Sequence, residues 1–160
     1  DQPESAKRSQ GAGEGQVNTN GDGVYVYNKT RESFVGTDIV VADTYFRRLV
    51  GLLGKTRRWA KPGRGLWIVP SHGIHTIGML FPIDVVFLSR DKRVLGIEEY
   101  IRPFRISRVV LNANSVLELP AHTIFQSGIQ VGDHLEIVSR NGYQKAASEP
   151  RAAVASNAAN

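Results

Sequence analysis

"IDVVFLSRDKRVLGIEEY", residues 83–100, decides how the chain is read. Two apolar runs, 83–89 and 94–100, flank the charged turn Arg90-Asp91-Lys92-Arg93. β-branched and aromatic residues on either side of a polar turn predict a β-hairpin. Asp84 is out of place in it. On a strand Ile83, Val85 and Phe87 face one way while Asp84, Val86 and Leu88 face the other. Both sides are apolar, so the strand is expected to be covered on both faces. An isolated carboxylate there is costly unless it is paired, hydrogen-bonded, reached by water through a cleft, or protonated.

Working outward, "VYVYN" (24–28), "DIVVA" (38–42), "GLWIV" (65–69), "SVLELP" (115–120) and "HLEIVSR" (134–140) also read as strands. So does "IHTIGML" (74–80), with Gly78 as a bulge or close approach and Pro82 ending it. "AHTIFQSGI" (121–129) is short and ambiguous, with one helical turn as an option, and "QVGD" (130–133) is a turn. A helix is expected over "DTYFRRLVGLLG" (43–54), where Phe46, Leu49, Val50 and Leu53 form one apolar stripe. Asp43 suits its cap, and Gly54 the left-handed position beyond its last turn. About seven short strands with one flanking α-helix predict a mainly β fold, a compact sandwich or barrel.

The chain has 160 residues, enough for one domain. Hydrophobic residues make up 41% and charged ones 22%, a soluble, globular composition. No apolar run reaches the roughly 18 to 20 residues that span a bilayer. Without cysteine there is no disulfide, thiol nucleophile or cysteine-based zinc site. Residues 1–23 are polar and glycine-rich and 144–160 lack large apolar side chains, so both tails are expected to be disordered around a domain at 24–143. A cytoplasmic monomer is the expectation, with periplasmic or secreted placement left open because the chain starts at Asp1 rather than Met.

Net charge is +5, and its distribution is uneven. No acidic residue lies between Thr44 and Ile83, whereas Arg47, Arg48, Lys55, Arg57, Arg58, Lys61 and Arg64 cluster there. The plainer reading is a solvated basic face. The sharper one is that segment 47–64, through Arg57, Arg58, Lys61 and Arg64, contacts an anionic partner. Nucleic acid is not expected, because no recognition motif is present and Trp59 is the sole interleaved aromatic.

Several motifs together carry a resemblance. They are Ala42-Asp43-Thr44, Arg48 with Gly51-Leu52, Gly65-Leu66, His75-Thr76, Gly78-Met79, Pro82-Ile83-Asp84, 117–121 "LELPA" and Gly132-Asp133. In order and spacing the chain resembles the domain of unknown function 192 family, the UPF0127 proteins, over about residues 37–138. The resemblance implies a small, mainly β domain of bacteria and archaea, and no particular reaction. The chain departs from the family at His122, where members usually carry glycine.

For Asp84 the plain reading is a structural ion pair or a cap on an adjacent loop, with Arg48 and His75 as natural partners. The functional reading is a binding carboxylate in a cleft around Arg48, His75 and Asp84, with Thr76, Met79 and Glu118 completing it. Its occupant would be a small molecule or a protein. An alternative is an enzyme, hydrolase-like or other, using Asp84 with His75 or Glu118 as acid and base. No catalytic residue is assigned, and no cofactor is expected. No metal is expected either: His72 and His75 are three apart, while His122 and His134 are distant in sequence. "GLLGKT" (51–56) lacks the first glycine of a phosphate-binding loop, and neither Ser71 nor Ser127 sits in a nucleophile elbow.

Overall fold

The computed structural model describes residues 23–44, 52 and 54–140. The tails, and most of the helix expected over 43–54, lie outside them, and Arg48 with it. Seven strands form: β1 (Val24–Asn28), β2 (Ser33–Ala42), β3 (Arg64–Ile68), β4 (Ile83–Leu88), β5 (Val94–Ile101), β6 (Ser115–Pro120) and β7 (Leu135–Ser139). One helix is present among the described residues, α1 (Thr123–Ser127). The fold is mainly β, as the short runs of β-branched and aromatic residues predict.

The strands make one sheet in the order β5-β4-β6-β3-β2-β1-β7. The β2–β3 pair is parallel and the other pairs are antiparallel. The sheet curls into a half-barrel, and its two edge strands meet at one end. There Val94 N donates to Asp133 O at 2.9 Å, and Leu135 N to Lys92 O at 3.0 Å.

Curling gives the sheet two apolar faces of different character. Inside the curl, Val24, Ile39, Trp67, Val86, Leu117 and Leu135 pack together, with Ile124 of α1 among them. On the outer face, Leu66, Ile83, Val85, Phe87 and Val116 are covered by loop residues, chiefly Leu52, Trp59, Met79 and Phe81. Trp59 and Phe81 stack with ring centroids 5.8 Å apart. β4 and β6 are buried along their whole length, which explains why neither shows polar–apolar alternation.

Two expectations change. Residues 74–80 are not a strand: His75 makes an isolated bridge with Ile106, and Gly78 turns the chain at φ 81°. Thr76 is the reason. Its amide donates to Arg105 O and its carbonyl accepts from Phe104 N, so the segment braces loop 102–106 instead of joining the sheet. β2, conversely, begins five residues earlier than the apolar run 38–42 suggests, because "SFVGT" (33–37) pairs with β1.

Candidate functional site

Asp84 is wholly buried, and among the described residues its carboxyl is met by backbone amides rather than by a cation. Oδ1 accepts from Tyr100 N and Oδ2 from Ile124 N, each at 2.9 Å. Both donors are surplus to the secondary structure. The β4–β5 register shifts between Ile83 and Val85, opposite Tyr100, and releases that amide from the ladder. Ile124 lies in the first turn of α1, whose amides have no partner within the helix. Asp84 therefore caps a helix and pins a bulge, one of the plainer roles open to it.

Strain lies close to both anchor points, in Tyr100 itself and, two residues before Ile124, in His122. Tyr100 has φ 55° and His122 φ 72°, a left-handed conformation that costs a residue with a Cβ about 1 kcal/mol or more. Their rings lie 5.3 Å apart. His122 thus carries a side chain in a left-handed turn, a conformation that glycine adopts at the least cost.

Glu118 is 3% exposed and stands in the middle of β6, between β3 and β4. It is opposite Leu66 on one side and Val85 on the other. Among the described residues no hydrogen bond reaches Oε2, and burial pushes the carboxyl up from its ordinary value of 4.5 to about 8. At neutral pH it is mainly a neutral acid, able to donate one hydrogen bond and accept others.

Register separates the two carboxyls. Asp84 is opposite Leu119, and Glu118 opposite Val85, so they project from opposite faces of the sheet. Asp84 points inside the curl; Glu118 points outward beneath the loops. His75 is exposed and bridged to Ile106, and no hydrogen bond or ion pair joins it to Asp84. Thr76 is buried: Oγ1 donates to Arg102 O at 2.7 Å and accepts from Arg105 N at 2.9 Å. Met79 is buried in the outer-face cluster. Of the expected set, Thr76, Met79 and Glu118 belong to the outer face and its cover, and Asp84 does not. Sequence already held a sign of Glu118's burial, since Val116, Leu117 and Leu119 make both faces of its strand apolar.

Arg57, Arg58 and Lys61 are exposed, whereas Arg64 is half-buried and bonded through Nε to Asp38 at 3.1 Å. Asp133 contrasts with Glu118. Burial opposes its charge, but bonds from Arg31, Asn28 and the Gln130 amide outweigh that and hold its carboxyl below the usual range. No group of three or more metal-ligating side chains occurs among the described residues.

Residues 26–137 match the profile of a family designated DUF192 and described as "Uncharacterized ACR". A UPF0127 protein of Thermococcus sibiricus is 30% identical over 115 residues, covering 68% of this chain and 71% of its own. A UPF0127 protein of Pyrococcus furiosus is 25% identical over 114 residues, covering 68% and 94%. The crystal structure of a protein of unknown function from Novosphingobium aromaticivorans shares the fold at a TM-score of 0.61 and 20% identity, covering 71% of this chain and 82% of that one.

Proposed function

The chain belongs to the DUF192 family of uncharacterised proteins, and we propose that it is a binding domain whose ligand, a small molecule or a segment of a partner, is received on the outer face of the sheet at Glu118. The observation that carries this reading is the buried carboxyl with an oxygen that nothing satisfies among the described residues. A hydrophobic residue of similar size would serve packing better, since a buried polar group without a partner costs about 1–3 kcal/mol. The cost is recovered when a ligand supplies the missing hydrogen bond.

The surroundings define the ligand's chemistry. Leu66 and Val85 flank the carboxyl, and Met79, Phe81 and Trp59 are in the same apolar cluster. A molecule with an apolar body and one hydrogen-bonding group, such as a carbonyl or an alcohol, matches a neutral acid in that setting. The cover is loop rather than sheet, so admitting such a molecule costs local rearrangement and breaks no ladder. Acid–base catalysis by an Asp84–Glu118 pair is not favoured, because the two project from opposite faces.

Native mass spectrometry of the purified protein tests this directly. The wild type is expected to retain a non-covalent small molecule that Glu118→Leu lacks. A bare-chain mass for the wild type, or the same adduct on both proteins, counts against the reading.

A further inference from the structure

Loops 71–82 and 102–114 zip together over the outer face. Thr76 N donates to Arg105 O at 2.8 Å, Ser107 N to Ile74 O at 3.0 Å and Val110 N to His72 O at 2.9 Å. The resulting ribbon is well tied to the domain, yet it presents large apolar side chains to water. Ile106 is 75% exposed, Leu111 81% and Phe104 62%, with Ile77, Leu80 and Val109 at least half exposed. Ile77, Ile106 and Val109 line one shallow depression of about 480 Å³. Scattered exposed leucines are ordinary, but a concentration on two paired loops marks an interaction surface.

Charge indicates what it meets. Residues 54–83 and 102–117 contain no Asp or Glu at all, while they carry Lys55, Arg57, Arg58, Lys61, Arg64, Arg102, Arg105 and Arg108. Arg64 and Arg108 are engaged by Asp38 and Glu98. The other six are exposed, and no ion pair engages them among the described residues. Trp59 and Ala60, between those cations, pack on the same outer-face cluster as Ile74 and Val110 of the ribbon. Exposed apolar side chains and unpaired cations therefore share one side of the domain.

We propose that this side docks on an anionic lipid surface. Phe104, Ile106 and Leu111 enter the boundary between headgroups and acyl chains, and Arg57, Arg58, Arg102 and Arg105 contact the phosphates. A bilayer accepts apolar side chains presented by loops without demanding a matching shape, and it rewards cations on their flanks. An acidic protein segment would use the cations but leave most of the exposed apolar side chains unburied. The proposal is independent of any ligand at Glu118.

Co-sedimentation of the full chain tests it, with vesicles of phosphatidylcholine alone or of phosphatidylcholine with about a third phosphatidylglycerol. Binding is expected only to the anionic vesicles, weakening at least ~10-fold when salt rises to about 0.5 M and screens the headgroups. Phe104→Ser with Leu111→Ser should weaken it ~10-fold or more, as should Arg102→Gln with Arg105→Gln. All four positions are exposed, and circular dichroism checks that the variants fold. Failure to bind anionic vesicles overturns the proposal, and so does equal binding to neutral ones. Binding that the Phe104 and Leu111 changes leave intact, or that a soluble polyglutamate matches in strength, overturns it too.

Discussion

Asp84 on β4 and Glu118 on β6 belong to one ladder, one residue out of step, and are both buried. Asp84 is satisfied twice by backbone amides; Glu118 has an oxygen with no partner among the described residues. The difference is one of position in the sheet. Asp84 is the second residue of its strand, opposite a bulge and beside a helix start, where the backbone has amides to spare. Glu118 sits at the centre of a strand paired on both sides, where neighbouring amides are committed to the ladders. A buried carboxylate can be a fastener only where regular structure stops. In mid-sheet it remains a cost until something else binds it.

Removing the fastener should have the largest effect. Asp84→Ala leaves a buried amide, that of Ile124, and a part-buried one, that of Tyr100, without their acceptor and should destabilise the domain by ~2–5 kcal/mol in urea unfolding, without touching the outer face. Asp84→Asn should cost ~2–3 kcal/mol, since an amide NH₂ would confront one of the two donors. If either variant kept wild-type stability, the contrast between the two carboxyls would collapse.

Next in size is the ribbon over Glu118. Thr76→Val keeps the shape but removes the hydroxyl that donates to Arg102 O and accepts from Arg105 N. A loss of ~1–3 kcal/mol is expected, with faster amide exchange at Phe104 and Arg105 and little change in β1 or β7. Uniform acceleration across the sheet would show that the loops are not a separate cover.

The smallest effect has the opposite sign. His122→Gly removes the strain of a side chain at φ 72° but forfeits the ring contact with Tyr100. A net stabilisation of up to about 1 kcal/mol is expected, read as a rise in melting temperature. Destabilisation would mean that the ring contact outweighs the strain, making the Asp84 corner a packed unit rather than one merely held by hydrogen bonds.

Much of the fold was legible because the strands announce themselves locally. The hairpin of 83–100 and the strands at 24–28, 65–69, 115–120 and 134–140 all follow from β-branched runs between turns. Segment 74–80 misled because its apolar content fits a loop that packs on a sheet as well as a strand within one. Thr76's long-range bonds, not its neighbours in sequence, decide the outcome. For Asp84, burial was readable from the two apolar faces of its strand. Its partners were not, since the amides of Tyr100 and Ile124 are surplus only once bulge and helix are in place. Glu118 was harder to read: a glutamate between leucines usually marks a solvent-facing position, and Val116 on its own face was the local sign against that, which the central place of β6 bears out.

The titration of Glu118 tests most directly whether its carboxyl is held neutral without a partner. Between its unfolded value of 4.5 and about 8 in the folded protein, the folded state binds more protons than the unfolded one. Stability must therefore fall as pH rises through that window, by roughly 1.4 kcal/mol per unit at most. Asp133 has the opposite sign, its contribution being present above its unfolded value of 3.8 and lost as acid titrates its lowered folded value. Unfolding free energies of wild type and Glu118→Gln, measured from about pH 4 to pH 9, isolate the glutamate. Relative to the variant, the wild type should lose several kcal/mol in all between pH 4.5 and about 8 and then run parallel to it. A stability difference that stays constant across the whole range would contradict it.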